Sequence, residues 1–242
     1  LGYPASNWVV DEMVGTLMTL SKVRVLTPEK EWEEYGLLRP TIKIGIETVI
    51  HPGRRYLFLG NESPVGDSVY ARWQESDDFF VVDSKLKQTF DRSLYAVREK
   101  RVFRISPDSI YKIQFRSGSE LYELARRKNQ WVWIRPRVRR GMTVDPVSSE
   151  EFSTQIRDLF IKDFLDPDKE KVDTSFFKIA ATVTIWGASK QKEIFYLGQE
   201  APVRDAFYGK REGEDGLLLV DRSNLRAFFE TVRTMGSPVV SV

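Results

Sequence analysis

Residues 59–83, LGNESPVGDSVYARWQESDDFFVVD, are matched at 197–221 by LGQEAPVRDAFYGKREGEDGLLLVD, without a gap and with identity at ten of 25 positions. About one or two identities would arise by chance, so the two segments read as an internal duplication. The chain therefore has to build one local structure twice. The retained residues include Gly60/Gly198, Glu62/Glu200, Pro64/Pro202, Asp67/Asp205 and Tyr70/Tyr208. They have the character of a tight loop: glycine and proline to shape it, an acid to cap it, and a tyrosine to pack beneath.

With 242 residues there is room for two units, each with its own core. A hydrophobic share of 41% against 30% charged residues marks a folded chain rather than a disordered one, and 12% aromatics with six tryptophans points to cores built on large rings. The absence of cysteine removes disulfides, thiol nucleophiles and zinc–thiolate sites together. No run of 18 apolar residues is present, so no membrane-spanning helix is expected within these residues.

The periodicity predicts an amphipathic helix over 5–21, with Val9, Val10, Met13, Val14, Leu17 and Leu20 inward, Ser6 or Asn7 as N-cap, and Asp11 and Glu12 in the first turn. A short strand follows at 23–26, then a charged helical turn over 29–40 closed by Gly36 and Pro40. A hairpin of 41–50 and 54–59 turns at His51-Pro52-Gly53. The duplicated segment supplies strands near 68–74 and 79–83, and a helix over 84–97 carries Leu86, Phe90 and Leu94 inward. Four strands are expected in the middle, at 102–105, 110–116, 119–126 and 130–135, with turns at RSGSE and RKNQ. The second repeat opens with a helix beginning at PVSSEEF, with Ser148 and Glu151 at capping-box spacing and Phe152, Ile156, Leu159 and Phe160 inward. A hairpin of 178–186 and 192–197, the second copy, and a helix at 223–235 carrying Leu225, Phe228, Phe229 and Val232 complete the chain. The fold class is α+β: two tandem repeats, each an antiparallel sheet of hairpins with flanking helices. The expected division is 1–103, 104–140 and 141–242, with the middle strands linking the repeats.

Four constellations are chemical candidates. Glu62, Asp67 and Tyr70, with Glu200, Asp205 and Tyr208, offer two carboxylates and a phenol that could take a cation or a sugar hydroxyl. Their retention in both copies favours a structural role. His51, in a Pro-Gly turn, is the sole histidine, and one histidine without cysteine forms neither a conventional zinc site nor a Ser-His-acid triad. Asp166, Asp168 and Glu170 have the alternation of a calcium loop, but Lys171 stands where that loop needs glycine and Phe177 where it needs glutamate, so no metal site is expected. The stretch RRKNQWVWIRPRVRR, 126–140, holds Arg126, Arg127, Lys128, Arg135, Arg137, Arg139 and Arg140 and no acid, in a chain of net charge +2. If extended, it sets Arg135, Arg137 and Arg139 on one face. Such a patch suits phosphates of lipid headgroups or nucleic acid, or it protects a strand edge. The small net charge makes nucleic acid the weaker partner. No Gly-rich phosphate loop or GxGxxG occurs, so no nucleotide cofactor is expected, nor any other.

The segments EYGLLRP (34–40), YLFLG (56–60), VYARW (69–73), FVVD (80–83), LYAVREKRVF (94–103) and ELARRKNQWVWIRP (123–136), in this order, resemble the bacterial family known as domain of unknown function 4340, in two tandem units. In the second unit VDTSFFK (172–178) stands in place of EYGLLRP. The resemblance implies a single-pass membrane protein with its bulk outside the cytoplasm, accompanying ABC-transporter components of the gliding-motility type. This chain, starting at Leu1, would be the portion after an N-terminal anchor. It implies no catalytic residue and no cofactor. The resulting expectation is a non-enzymatic extracytoplasmic module that assists membrane transporter subunits. The alternative is a binder of anionic ligands (headgroup, glycan or nucleic acid) through 126–140.

Overall fold

The computed structural model describes residues 2–26, 32–50, 52–165, 176–202 and 204–235. The chain divides into two compact units, one of Ala5–Arg98 and one of Leu1–Pro4 with Glu99–Val242. The expected boundaries at 103 and 140 are not those of these units, because the middle strands pair into the larger unit's sheet rather than bridging two halves.

The smaller unit is a five-stranded antiparallel sheet of β1 (Arg24–Leu26), β2 (Ile42–Ile46), β3 (Arg55–Glu62), β4 (Ser68–Trp73) and β5 (Phe79–Asp83). Its order is β1-β5-β4-β3-β2. Period-two alternation sends Ile44, Leu57, Leu59, Val69, Ala71, Phe80 and Val82 to one face, where Leu86, Leu17, Leu20 and Phe90 cover them. These last come from or flank the helices α1 (Asn7–Met18) and α2 (Lys85–Phe90). On the other face Tyr35 lies against Tyr70 and Phe79, with ring centroids 4.9 and 4.6 Å away.

Several local expectations give way here. α1 starts at Asn7, capped by Ser6 without a side-chain bond, so its first turn holds no acid. Glu12 instead pairs with Arg92 at 2.8 Å. Val9 is buried, whereas Val10 and Val14 are exposed. The helix expected over 84–97 breaks at Asp91 into α2 and the short α3 (Leu94–Val97), leaving Leu94 outside. Residues 32–36 form a turn, not a helix. The rest of that expected helix (29–31), the strand end at Thr27-Pro28 and the His51 reading lie outside the described residues.

The larger unit is an eight-stranded antiparallel sheet of β6 (Ile110–Ser117), β7 (Glu120–Arg127), β8 (Gln130–Arg135), β9 (Ile161–Leu165), β10 (Ala181–Gly187), β11 (Lys192–Ala201), β12 (Ala206–Arg211) and β13 (Leu217–Asp221). The order is β8-β7-β6-β10-β11-β12-β13-β9. Helices α4 (Pro146–Arg157) and α5 (Arg222–Thr234) cover one face through Phe152, Ile156, Leu225, Phe228 and Val232. The cap of α4 is Asp145, which accepts the Ser148 N–H at 2.9 Å, so the box expected from Ser148 and Glu151 is replaced by an Asp-Pro start. Hydrogen bonds to the Ser148 hydroxyl and N–H hold the Asp145 carboxyl below its usual range. Phe160 is exposed rather than inward, because the helix has already ended at Arg157, just before β9 begins at Ile161. Residues 102–105 are irregular instead of a strand. The calcium-loop look-alike at 166–170 and the tail from Gly236 lie outside the described residues. Among the described residues, no helix is long and apolar enough to cross a membrane.

The chain passes between the units twice. On the larger unit's side both passages are anchored. The Tyr3 hydroxyl bonds the carbonyls of Leu165 and Leu217, each at 2.9 Å, and the Glu99 N–H donates to Pro4 O at 2.9 Å. Buried Arg211 donates to Glu99 O at 2.9 Å, to Arg101 O at 2.7 Å and to the Glu214 carboxylate at 3.0 Å.

Candidate functional site

The basic stretch does not form one face. Its strand β8 turns Trp131 and Trp133 into the core, 2% and 0% exposed, and two of the cations are used to seal them. Arg126 lies over the Trp131 ring at 5.0 Å and donates to Asp108 O at 2.8 Å. Arg139 lies over Trp133 at 5.1 Å and donates to Arg233 O at 2.6 Å. These are packing roles. Arg127 and Lys128 sit at the β7–β8 turn, where Lys128 and Asn129 take positive φ of 46° and 66°, as a two-residue hairpin requires.

The remaining three lie at the other end of β8, roughly 17 Å along the strand. The strand ends at a cis Arg135–Pro136 bond, and Arg137–Arg139 form a single 3-10 turn. Gly141, at φ 86°, then reverses the chain, and the Trp133 N–H donates to Met142 O at 2.9 Å as the return segment runs back along β8. Residues three apart eclipse in a 3-10 turn, so Arg137 and Arg140 point the same way while Arg139 is turned off toward Trp133. The expected Arg135–Arg137–Arg139 face is thus replaced by Arg135, Arg137 and Arg140, which with Ile134 line a cleft of about 320 Å³. Among the described residues, none of these three guanidinium groups has a hydrogen-bond or ion-pair partner. Three uncompensated forks round one concavity raise a local positive potential suited to a phosphate, sulfate or carboxylate. The sequence showed the charge; the turn that selects Arg140 over Arg139 was signalled only by Pro136 and Gly141.

The two sequence-matched loops are arranged differently, as joints. Pairing between β3 and β4 shifts between Leu59 and Glu62, and pairing between β11 and β12 shifts between Leu197 and Glu200. Gly60 and Gly198 sit in these bulges. At the first, the Asn61 N–H donates to Tyr35 O at 2.8 Å and its side chain to Glu34 O at 3.1 Å. At the second, the Gln199 side chain donates to Phe176 O at 3.0 Å. Tyr70 meets Tyr35 edge-on at 4.9 Å, and Tyr208 meets Phe176 edge-on at the same separation. Three of the four acids are paired, Glu62 with Lys87 at 3.0 Å, Glu200 with Arg222, and Asp205 with Arg222 at 2.9 Å, while the Asp67 carboxylate is exposed. The Asp67 and Asp205 carbonyls accept the N–H groups of Ser84 and Arg222. Pro64 and Pro202 lie in the exposed tips between the paired strands. At the last matched position, Asp83 accepts the Lys85 N–H at 2.7 Å and Asp221 that of Ser223 at 2.9 Å, each capping the following helix. The Ser223 hydroxyl, the N–H groups and Lys162 hold the Asp221 carboxyl below its usual range against a smaller push from burial. Among the described residues, no cluster of three or more His, Asp or Glu could hold a metal.

The family described as a domain of unknown function, DUF4340, matches residues 1–177. The chain belongs to the DUF4340 family. That match covers the whole smaller unit, strands β6 to β9 with the arginine cleft, and the Phe176-Phe177 segment, and it stops before β10. No curated protein and no solved structure matches this DUF4340 chain.

Proposed function

We propose that this DUF4340 chain is a non-enzymatic interaction module whose contact site is the cleft of Arg135, Arg137 and Arg140, which takes an anionic group. The observation that carries it is the set of three guanidinium groups without partners, among the described residues, around one concavity. Sedimentation with phosphatidylglycerol-containing vesicles at low ionic strength tests the reading. Wild type should co-sediment, salt should release it as the screening length shrinks to roughly 3 Å at about 1 M, and Arg137→Glu with Arg140→Glu should abolish binding. Failure of vesicles, an oligonucleotide and inorganic phosphate all to bind at low salt would remove it.

The setting we propose is the extracytoplasmic face of a bacterial membrane beside ABC-type transporter subunits, as the family resemblance implies. Val10, Val14 and Met18, spaced by four on α1 and exposed, support a protein contact in addition to an anionic one. Photo-crosslinkers placed at residue 18 and at residue 137 in membranes separate the two: transporter subunits recovered from position 18 support the accessory role, and recovery from neither position refutes it.

We also read the two sheets as copies of one duplicated unit. In support, β1-β5-β4-β3-β2 and β9-β13-β12-β11-β10 follow the same order, with bulges, ring pairs and helix caps at matched residues. The second copy then carries β6, β7 and β8 as an addition on the free side of β10.

A further inference from the structure

Strand β2 ends its sheet. Ile42 pairs with Leu59 as Ala181 pairs with Leu197, and Leu59 and Leu197 are matched residues. Ile42–Ile46 therefore correspond to Ala181–Ile185. In β10 those positions are covered by an antiparallel strand, with Ala181 opposite Ser117, Val183 opposite Phe115 and Ile185 opposite Ile113. Ala181, Val183 and Ile185 are accordingly buried, at 5%, 1% and 0% exposed. Among the described residues, no strand lies on the outer edge of β2. Ile44 is buried beneath the sheet, but Ile42 and Ile46 on the same face stay half-exposed.

An exposed edge is normally blunted by charge, and Lys43 is the residue that would do so. Its ammonium group is drawn back over its own sheet, 4.0 Å from the Tyr56 ring centroid and 5.4 Å from that of Phe58. The strand itself reads Ile-Lys-Ile-Gly-Ile, almost the same in both directions. Paired antiparallel to itself about Ile44, it sets Ile44 against Ile44 and Ile42 against Ile46 on the apolar face. On the other face it sets Lys43 of one copy against Gly45 of the other, so no like charges meet and the lysine finds room.

We infer that the β2 edge is a docking site for a second copy of this chain, joining two five-stranded sheets across a two-fold axis into one. The contact resembles β6 on β10 but is self-complementary, as an isologous interface must be. This goes beyond the anion-binding reading and rests on the duplication only for the equivalence of β2 and β10.

Sedimentation velocity on the full chain across a concentration series tests it with Gly45→Glu and Gly45→Lys. A Cβ at residue 45 meets movable side-chain atoms of Tyr56 and Arg54 at 3.0 and 3.1 Å, a strain the two variants share, so their difference reports charge alone. Gly45→Glu faces Lys43 and tightens the dimer; Gly45→Lys faces it and loosens the dimer, by at least about tenfold between the two dissociation constants. Amide protection of residues 42–46 should rise with concentration in the wild type. A wild type that stays monomeric at all concentrations, or two variants with equal effect, overturns the inference. So does capture of a peptide carrying the Ile113–Ser117 sequence by a chain that remains monomeric. Retention of vesicle binding in any of these cases leaves the arginine cleft standing by itself.

Discussion

Replacing Gly60 by alanine tests whether the bulge is the joint on which the smaller unit closes. A Cβ built there lies 2.2 Å from Tyr35 O and 3.1 Å from the Gly36 carbonyl carbon. These are backbone atoms, which cannot swing aside. The 32–37 segment must lift, at an overpacking cost of about 1–3 kcal/mol. Lifting lengthens the 2.8 Å bond from the Asn61 N–H to Tyr35 O, worth about 1 kcal/mol. The reduced freedom of the unfolded alanine chain returns about 0.4–1 kcal/mol, leaving a net loss of roughly 1–3.6 kcal/mol, centred slightly above about 2. Gly198→Ala is the control. Its Cβ meets the Phe177 ring edge at 2.5 Å but the nearest backbone oxygen, Lys178 O, only at 3.4 Å. A ring can turn, so the loss there should be nearer 1 kcal/mol. Urea unfolding followed by circular dichroism gives both values at unchanged slope. A Gly60→Ala protein within about 0.5 kcal/mol of wild type, or one more stable than Gly198→Ala, would refute the reasoning.

Arg211→Met should cost about 3–5 kcal/mol, because it strands buried Glu214 and two backbone carbonyls; urea unfolding decides it, and a loss below about 1 kcal/mol would contradict the buried network. For Glu99, burial pushes its carboxyl up, but bonds from the Arg101 side chain and N–H and the charges of Arg101 and Arg211 outweigh this and hold it below the usual range. Its contribution is therefore complete above the unfolded glutamate pKa of about 4.3 and is lost as pH falls through the lowered folded value. Stability of Glu99→Gln measured by urea at stepped pH should fall less steeply below about pH 4.3 than wild type; equal slopes would remove the assignment. Gly216→Ala places a Cβ 1.7 Å from the Tyr3 hydroxyl oxygen and 2.3 Å from Cζ. Its destabilisation should shrink in a Tyr3→Ala background, a coupling of about 1 kcal/mol or more in a double-mutant cycle, and additive losses would contradict it.

What the sequence disclosed follows from how local each determinant is. The hairpins around 59–83 and 197–221 were legible because Asp83 and Asp221 act within two residues of themselves, whereas the partners of Gly60 and Gly198, at Tyr35 and Phe177, lie more than twenty residues upstream and were not. The strand β9 was missed: IKDFL follows a helix directly, and its apolar spacing continues the helical pattern as well as it starts a strand. Only its pairing with β13, more than fifty residues later in the chain, chooses. The same limit applies to Val10 and Val14, whose spacing fits an inward stripe that the packing assigns to Val9 instead. In the arginine stretch the charges were plain, but which of Arg139 and Arg140 faces solvent depends on a turn that also has to bring 142–144 back along β8. The five-stranded sheet was legible; the boundary of its unit was not, since nothing near Pro4 or Arg98 marks where the chain changes units.

That boundary also sets a schedule for synthesis. Residues 5–98 leave the ribosome as one contiguous piece and can close their sheet without waiting for anything downstream. Tyr3 is made earlier still, yet its hydroxyl partners, Leu165 and Leu217, lie 162 and 214 residues further on. A residue made before the smaller unit is thus seated only after it. Domains complete themselves from the N-terminus during translation, but the larger unit is bound at both ends of its own chain order. It can lock only after β13 has emerged, with the smaller unit already folded within its span.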